Sequence, residues 1–129
     1  ENKLLNRYGL QTLSSDEEGY VDVYEGSAYN RDSSYHQGIT WPWLLGLYYD
    51  ALKNTMIIEK NRTKRQELEE KITKLVYTTK ETFKSEMFER SSIGTISEIY
   101  DSTEPYEERG AFAQAWSVAE IFRIVLNKR

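Results

Sequence analysis

Residues 34–43, Ser-Tyr-His-Gln-Gly-Ile-Thr-Trp-Pro-Trp, combine side chains that could bind a sugar. The segment holds the single histidine of the chain, His36, followed by Gln37, and two of the three tryptophans, Trp41 and Trp43. Imidazole and amide groups can hydrogen-bond hydroxyl groups, and a flat indole ring offers an apolar platform to the C–H face of a pyranose. A helix that only packs in a core has no need of this mixture, so the segment predicts a carbohydrate site.

A second set of candidate residues lies between residues 94 and 120. Glu98 is flanked by small and polar residues such as Thr95 and Ser97, a setting in which a carboxylate can stay ionised and reach water. Gln114 and Trp116 come near the start of the last predicted helix. Taken alone, Glu98 is more simply a loop residue that makes a turn or cap contact, and a lone histidine is more often structural. The residues alone leave both explanations open.

Composition argues against several classes of partner. The 129 residues correspond to about one domain and carry 17 basic and 21 acidic side chains, a formal net charge of −4. The basic run at residues 60–65 is balanced at once by Glu67, Glu69 and Glu70, which indicates a solvated helix start and no nucleic-acid partner. No apolar run approaches a membrane span and no signal peptide is visible, so we expect no membrane contact.

The absence of cysteine limits the chemistry further. Without cysteine the chain has no disulfide and no thiolate metal ligand, and with one histidine a metal site is not expected. We therefore expect no metal and no cofactor. The lack of cysteine also fits a cytoplasmic location, which is the location we expect.

The elements that must position these residues are predicted to be helices joined by long irregular segments. Helical periodicity predicts three helices, at residues 41–58, 63–87 and 112–126. Residues 2–8 could be the end of a further helix, stopped by Gly9. Residues 11–40 and 91–110 show no convincing strand pairs, although short strands are possible, and loops of this length usually carry function. The predicted class is all-α.

The start of the predicted helix at residues 41–58 determines the directions in which the indoles of Trp41 and Trp43 point. Thr40 is the expected N-cap, and Pro42 fits the first turn, where its missing N–H costs nothing. On such a helix Trp41 and Trp43 would point about 200° apart, so at most one could face a sugar squarely. We favour Trp41 for the site. A tryptophan in the position of Trp116 packs in a core more often than it binds a sugar.

Two of the predicted helices carry more apolar surface than so few elements can cover. Residues 44–52 are apolar nearly all round, and the helix at 112–126 is strongly apolar. We expect the chain to be part of a larger helical assembly or to self-associate through these faces.

Two blocks of sequence, taken together, carry a family resemblance. The first is residues 35–46, Tyr-His-Gln-Gly-Ile-Thr-Trp-Pro-Trp-Leu-Leu-Gly. The second is residues 94–101, Gly-Thr-Ile-Ser-Glu-Ile-Tyr-Asp, followed by Arg109-Gly110 and by Gln-Ala-Trp-Ser-Val-Ala-Glu at 114–120. With residues 9–14 and 29–32 they resemble the C-terminal amylo-α-1,6-glucosidase domain of glycogen debranching enzymes. The resemblance covers nearly the whole chain in the family's order, whereas residues 60–88 carry no signature.

The resemblance implies a fold and a reaction. The fold is an (α/α)6 barrel with long functional loops, of which residues 1–129 would be the C-terminal portion of a single domain. The reaction is hydrolysis of the α-1,6-linked glucose at branch points of glycogen-like glucans, with inversion at the anomeric carbon. The expected partner is therefore a branched α-glucan such as glycogen or limit dextrin.

The resemblance also assigns roles to individual residues. Glu98 matches the general base, which removes a proton from water in an inverting glycosidase. The expected sugar-binding residues are His36, Gln37, Trp41, Trp43, Gln114 and Trp116. The general acid, an aspartate in this family, is expected upstream of residue 1, so the 129 residues alone are expected to be inactive.

Three alternatives remain open at this point. Another α-glucosidase or a trehalase-like hydrolase on the same barrel would differ in substrate. A glucan-binding module without catalysis would keep the tryptophan and histidine contacts but not need Glu98. A helical protein-interaction module would bind a partner through its apolar faces and leave Glu98 in solvent.

Overall fold

The computed structural model describes residues 3–90 and 94–126, which form four helices and a small antiparallel sheet. The helices are α1 (Ala28–Ser34), α2 (Leu44–Ile58), α3 (Arg62–Glu89) and α4 (Ala115–Leu126). The last three pack against one another. Two helices begin at side-chain caps, because Ser27 accepts the Asn30 amide in front of α1 and Asn61 accepts the Lys64 amide in front of α3.

Four strands of two residues join the segments that have no local periodicity. They are β1 (Leu10–Gln11), β2 (Thr40–Trp41), β3 (Ile99–Tyr100) and β4 (Glu108–Arg109), and they pair antiparallel in the order β1-β2-β3-β4. Thr40 lies opposite Tyr100, and Ile99 lies opposite Arg109. The sheet therefore brings the segment that follows His36 beside the segment that follows Glu98.

The expected all-α class needs a correction, because the chain is helix-rich with a small sheet. The helices predicted at residues 41–58, 63–87 and 112–126 are present as α2, α3 and α4, and each begins within three residues of the predicted start. The predicted irregular segment 11–40 contains a helix and parts of two strands, and the segment 91–110 contains two strands, with residues 91–93 outside the described residues. Short strands of this kind depend on pairing with distant segments, which local periodicity does not report.

Two details at the helix starts were predicted wrongly. Thr40 does not cap α2, since it belongs to β2, and its hydroxyl group contacts Asn6 Nδ2 at 2.7 Å and Ser102 Oγ at 2.6 Å. Residues 3–8 do not end a helix, because they form turns and a bridge between Leu5 and Leu10, while residue 2 lies outside the described residues. At Thr40, partners far along the chain take the side-chain group that a helix cap would have used, whereas residues 3–8 bond to the nearby residues Gly9 to Gln11.

The apolar side chains form two cores on opposite sides of the sheet. The larger core lies among α2, α3 and α4 and includes Phe83 and Tyr100. The smaller core consists of Ile39, Trp41 and Ile99. Successive residues of a strand point to opposite faces, so Ile99 and Tyr100 enter different cores. The loop that carries Glu98 is thus fixed directly by the strand that follows it.

A buried polar network joins the C-terminal end of α3 to the sheet. Glu86 is 1% exposed, and its Oε1 accepts the Tyr100 hydroxyl at 3.0 Å. Glu86 Oε2 and Glu108 Oε1 both lie near Arg90 Nε, at 3.5 and 2.9 Å, but neither receives a well-directed hydrogen bond from the protein. Arg90 also donates to the Tyr8 hydroxyl at 2.7 Å.

A proton shared between the two carboxyl groups accounts for this arrangement. Burial is the largest cause that raises the pKa of Glu86, and its contact with Glu108 is the second; the resulting pKa is about 7. Hydrogen bonds from its own amide and from Glu86 lower the pKa of Glu108, although its burial acts in the opposite direction. Below neutral pH, Glu86 is therefore protonated and can share its proton with Glu108.

Some apolar surface stays uncovered by the described residues. The exposed large apolar side chains of the helices include Leu47, Ile57, Ile58, Phe88, Phe122 and Leu126. None of the helices in residues 3–90 and 94–126 is long and apolar enough to cross a membrane.

Candidate active site

The Glu98 carboxylate is held by three hydrogen-bond donors from different parts of the chain. Its Oε1 accepts the Tyr35 hydroxyl at 2.5 Å and Gln114 Nε2 at 3.3 Å, and its Oε2 accepts the Ala111 amide at 3.0 Å. The side chain is half-buried. An ionised carboxylate offers about four acceptor positions, so about one position, on Oε2, remains for water or substrate.

The local fold fixes this carboxylate from both sides. The Glu98 amide donates to the Ala111 carbonyl at 2.9 Å, immediately before β3, and Ala111 follows the end of β4. Gln114 Oε1 accepts the Ala115 amide at 3.1 Å, which orients the Gln114 amide group so that its nitrogen faces Glu98. Sequence reasoning selected Gln114 but missed the Ala111 amide, because a backbone donor leaves no signal in residue type.

Tyr35 remains a hydrogen-bond donor over the whole physiological pH range. Burial raises the pKa of its phenol well above the ordinary value, and the hydrogen bond to Glu98 raises it further. Its ring lies 4.7 Å from the Trp41 ring and 5.7 Å from the Tyr24 ring. Tyr100 and Tyr106 pack with Tyr8 in the larger core.

One side of Glu98 faces an open cleft of about 310 Å³. The cleft is lined by Tyr24, Ala28, Arg31, Asp32, Tyr35 and Glu98. Arg31 donates to the Gly26 carbonyl at 2.5 Å. The cleft gives the carboxylate direct access to solvent, which a group that exchanges protons with water needs.

The four aromatic residues proposed for sugar binding form one continuous cluster beside Glu98. The His36 ring stacks on Trp41, with ring centres 5.4 Å apart and planes 10° apart. Trp116 contacts Trp41 at 6.1 Å and Trp43 at 5.8 Å. The expectation that Trp41 and Trp43 point to opposite sides of one helix start is wrong, because Trp41 lies in β2 and both indoles face Trp116.

Burial within this cluster differs from the expected order. Trp41 is 5% exposed and Trp116 is 45% exposed, so Trp116 offers the more accessible indole face. Sequence reasoning favoured Trp41 for the site because nothing in the local pattern showed that a strand would bury it. His36 is exposed above Trp41. The side chain of Gln37 is exposed too, while its carbonyl accepts the Val21 amide at 2.6 Å.

A buried carboxylate fixes the wall of the cleft. Asp101, which is 3% exposed, accepts the Tyr24 amide at 2.8 Å and two N–H groups of Arg109, at 2.8 and 3.0 Å. These bonds tie the loop that carries Tyr24 to β3 and β4. The hydrogen bond to Asp101 raises the pKa of Arg109, so this guanidinium stays charged. Sequence reasoning gave Asp101 and Arg109 as part of the family motif without a role.

The arrangement is suited to proton transfer involving water. Three donors hold the Glu98 carboxyl group in place, and its side chain lines the open cleft. Within residues 3–90 and 94–126, no three or more metal-ligating side chains come together. The chemistry that these residues can carry is therefore general base catalysis next to an aromatic surface.

Comparison with known proteins relates the chain to one family. No curated protein and no solved structure matches the chain. The family described as amylo-alpha-1,6-glucosidase matches residues 1–123, a range that includes Glu98, the aromatic cluster and all four strands. The chain is therefore a member of the amylo-alpha-1,6-glucosidase family of glycoside hydrolases.

Proposed function

We propose that this chain supplies the general base of an inverting α-1,6-glucosidase and that Glu98 is the base. The observation that supports this most directly is the carboxylate held by Tyr35, Gln114 and the Ala111 amide at the edge of an open cleft. A general base must be held in a fixed position within reach of the water from which it takes a proton.

The reaction needs a second carboxyl group across the scissile bond. Glu98 takes a proton from water, the hydroxide oxygen attacks the anomeric carbon, and a general acid protonates the departing glycosidic oxygen. The two carboxyl groups of an inverting enzyme stand roughly 6.5–9.5 Å apart, with room for the water between them. We expect the acid to lie before residue 1, so that the base and the acid would come from different parts of the polypeptide.

The proposed substrate is a branched α-glucan with an α-1,6-linked glucose. Trp116 provides the apolar platform, while His36, Gln37 and Gln114 offer hydrogen bonds to sugar hydroxyl groups. Trp43 stacks against Trp116 and Trp41 lies beneath His36, so these two indoles support the binding surface.

The proposal includes the architecture. We place these residues in the C-terminal portion of an (α/α)6 barrel, whose further helices would cover the exposed apolar side chains. Leu47, Phe122 and Leu126 are 55%, 42% and 65% exposed, which supports such a cover.

Glucose release from a phosphorylase-trimmed branched glucan tests the proposal. The full-length polypeptide is compared with its Glu98→Gln variant and with Glu107→Gln, a matched control at an exposed glutamate of the same region. We expect Glu98→Gln to lose activity by several orders of magnitude with glucan binding retained, and Glu107→Gln to stay active.

Two other outcomes would contradict the proposal in different ways. Undiminished release by Glu98→Gln would remove Glu98 from the mechanism. Glucan binding without glucose release by the unmodified protein would favour a binding module.

A further inference from the structure

We infer that Gly110 is a positioning residue for the Glu98 carboxylate. Because Gly110 has no side chain, the carboxylate has room to accept the hydrogen bond from the Ala111 amide. This inference rests on the proposed role of Glu98 as the base. Gly110 does not contact the substrate in this proposal and acts through Glu98 alone.

The first support is the space around Gly110. A Cβ atom built there would overlap Glu98 Oε2 and would lie 3.1 Å from both Glu98 Cβ and Ile99 Cγ1. The Ile99 side chain is buried and its strand is paired on both edges, so it cannot move aside easily. The glutamate carboxylate is the group that must shift, and its place is defined by the bonds to Tyr35 and Ala111.

The second support is the backbone conformation. Gly110 has a φ angle of +68°, in the left-handed region that residues with a Cβ adopt at a cost. This turn follows β4 directly and aims the next amide, that of Ala111, at Glu98 Oε2 at 3.0 Å. The Ala111 carbonyl in turn accepts a hydrogen bond from the Glu98 amide at 2.9 Å. One glycine thus sets both the direction of the backbone donor and the room for the acceptor.

The consequence concerns turnover more than binding. A side chain at position 110 would move the carboxylate away from the water it activates and would weaken the bond from the Ala111 amide. Displacement of a catalytic group by about 1 Å can cost about 100-fold in rate.

The experiment compares Gly110→Ala with Gly94→Ala in the full-length polypeptide. Gly94 has a φ angle of +83°, but a Cβ there would meet nothing within 4 Å, so this control has the backbone strain without the contact. A second variant, Gly110→Asn, reduces the strain because asparagine tolerates left-handed backbone, yet it keeps the Cβ overlap. Rates are measured from pH 4 to pH 8, at a temperature at which thermal melts show every variant folded.

We expect both Gly110 variants to lose kcat by about 100-fold with KM nearly unchanged throughout this pH range. Gly94→Ala should stay within about twofold of the parent. Gly110 variants with the kcat of Gly94→Ala would overturn the inference. The Glu98→Gln variant separates the two proposals: if it is inactive while Gly110→Ala is normal, only the role of Gly110 fails.

Discussion

Replacing Glu86 by glutamine tests the shared proton in the network between α3 and the sheet. The glutamine amide is neutral and can donate to Glu108, as the protonated carboxyl group does, while its Oε1 still accepts the Tyr100 hydroxyl. The substitution thus imitates the protonated state at every pH. The substitution should therefore change the free energy of unfolding only at pH values at which the wild-type Glu86 carboxyl group loses its proton.

The sign and size follow from the pKa of Glu86. The ordinary value is 4.5 and the folded value is about 7, so the folded chain holds a proton that the unfolded chain releases between these values. The native state therefore loses stability as the pH rises through this window. At about 1.4 kcal/mol per pH unit the total is about 3 kcal/mol, most of it lost between pH 5 and pH 8.

Urea unfolding followed by far-ultraviolet circular dichroism measures the effect at pH 5, 6, 7 and 8. We expect Glu86→Gln and the parent to have similar free energies of unfolding at pH 5, and Glu86→Gln to be more stable by about 3 kcal/mol at pH 8. Glu81→Gln, at an exposed glutamate of the same helix, serves as the control and should follow the parent throughout. A Glu86→Gln variant that is destabilised equally at all four pH values would refute the shared proton.

Two further predictions concern the site. Tyr35→Phe removes the donor to Glu98 Oε1 and should lower kcat for glucose release about 10- to 100-fold, with KM little changed, because a hydrogen bond to a charged group contributes about 1.5–3 kcal/mol; an unchanged kcat would show that this bond does not matter for turnover. Trp116→Ala should weaken glucan binding, measured by calorimetry, about tenfold, because it removes the accessible indole. Tyr77→Ala, at an exposed aromatic residue of α3, should leave affinity unchanged, and equal losses in the two variants would count against a specific platform.

The sequence by itself determined the long helices and the chemical character of the site. Apolar periodicity is a local property, so it located α2, α3 and α4 to within a few residues at each end. Residue types and family order selected Glu98, and they grouped His36 with the tryptophans. The structure indeed places these rings in one cluster beside Glu98.

The two-residue strands show where local reasoning stopped. The neighbours of Thr40 in the sequence predict that it is an N-cap. Instead it pairs with Gln11 and Tyr100, which are far away along the chain. That pairing also buries Trp41 and leaves Trp116 as the accessible indole. The exposure of a side chain depends on which other segments pack against it, and the spacing of residues along the chain does not predict this packing.

Tertiary structure also decided the electrostatics of the carboxyl groups. The donor Tyr35 is 63 residues from Glu98, and the Ala111 amide has no signature in residue type. The sequence of α3 predicts an ordinary amphipathic helix, but burial beside Glu108 raises the pKa of Glu86 on this helix to about 7. Residue type fixes which groups can hold a charge, whereas desolvation and hydrogen-bond partners decide which of them do, and both arise only when distant segments meet.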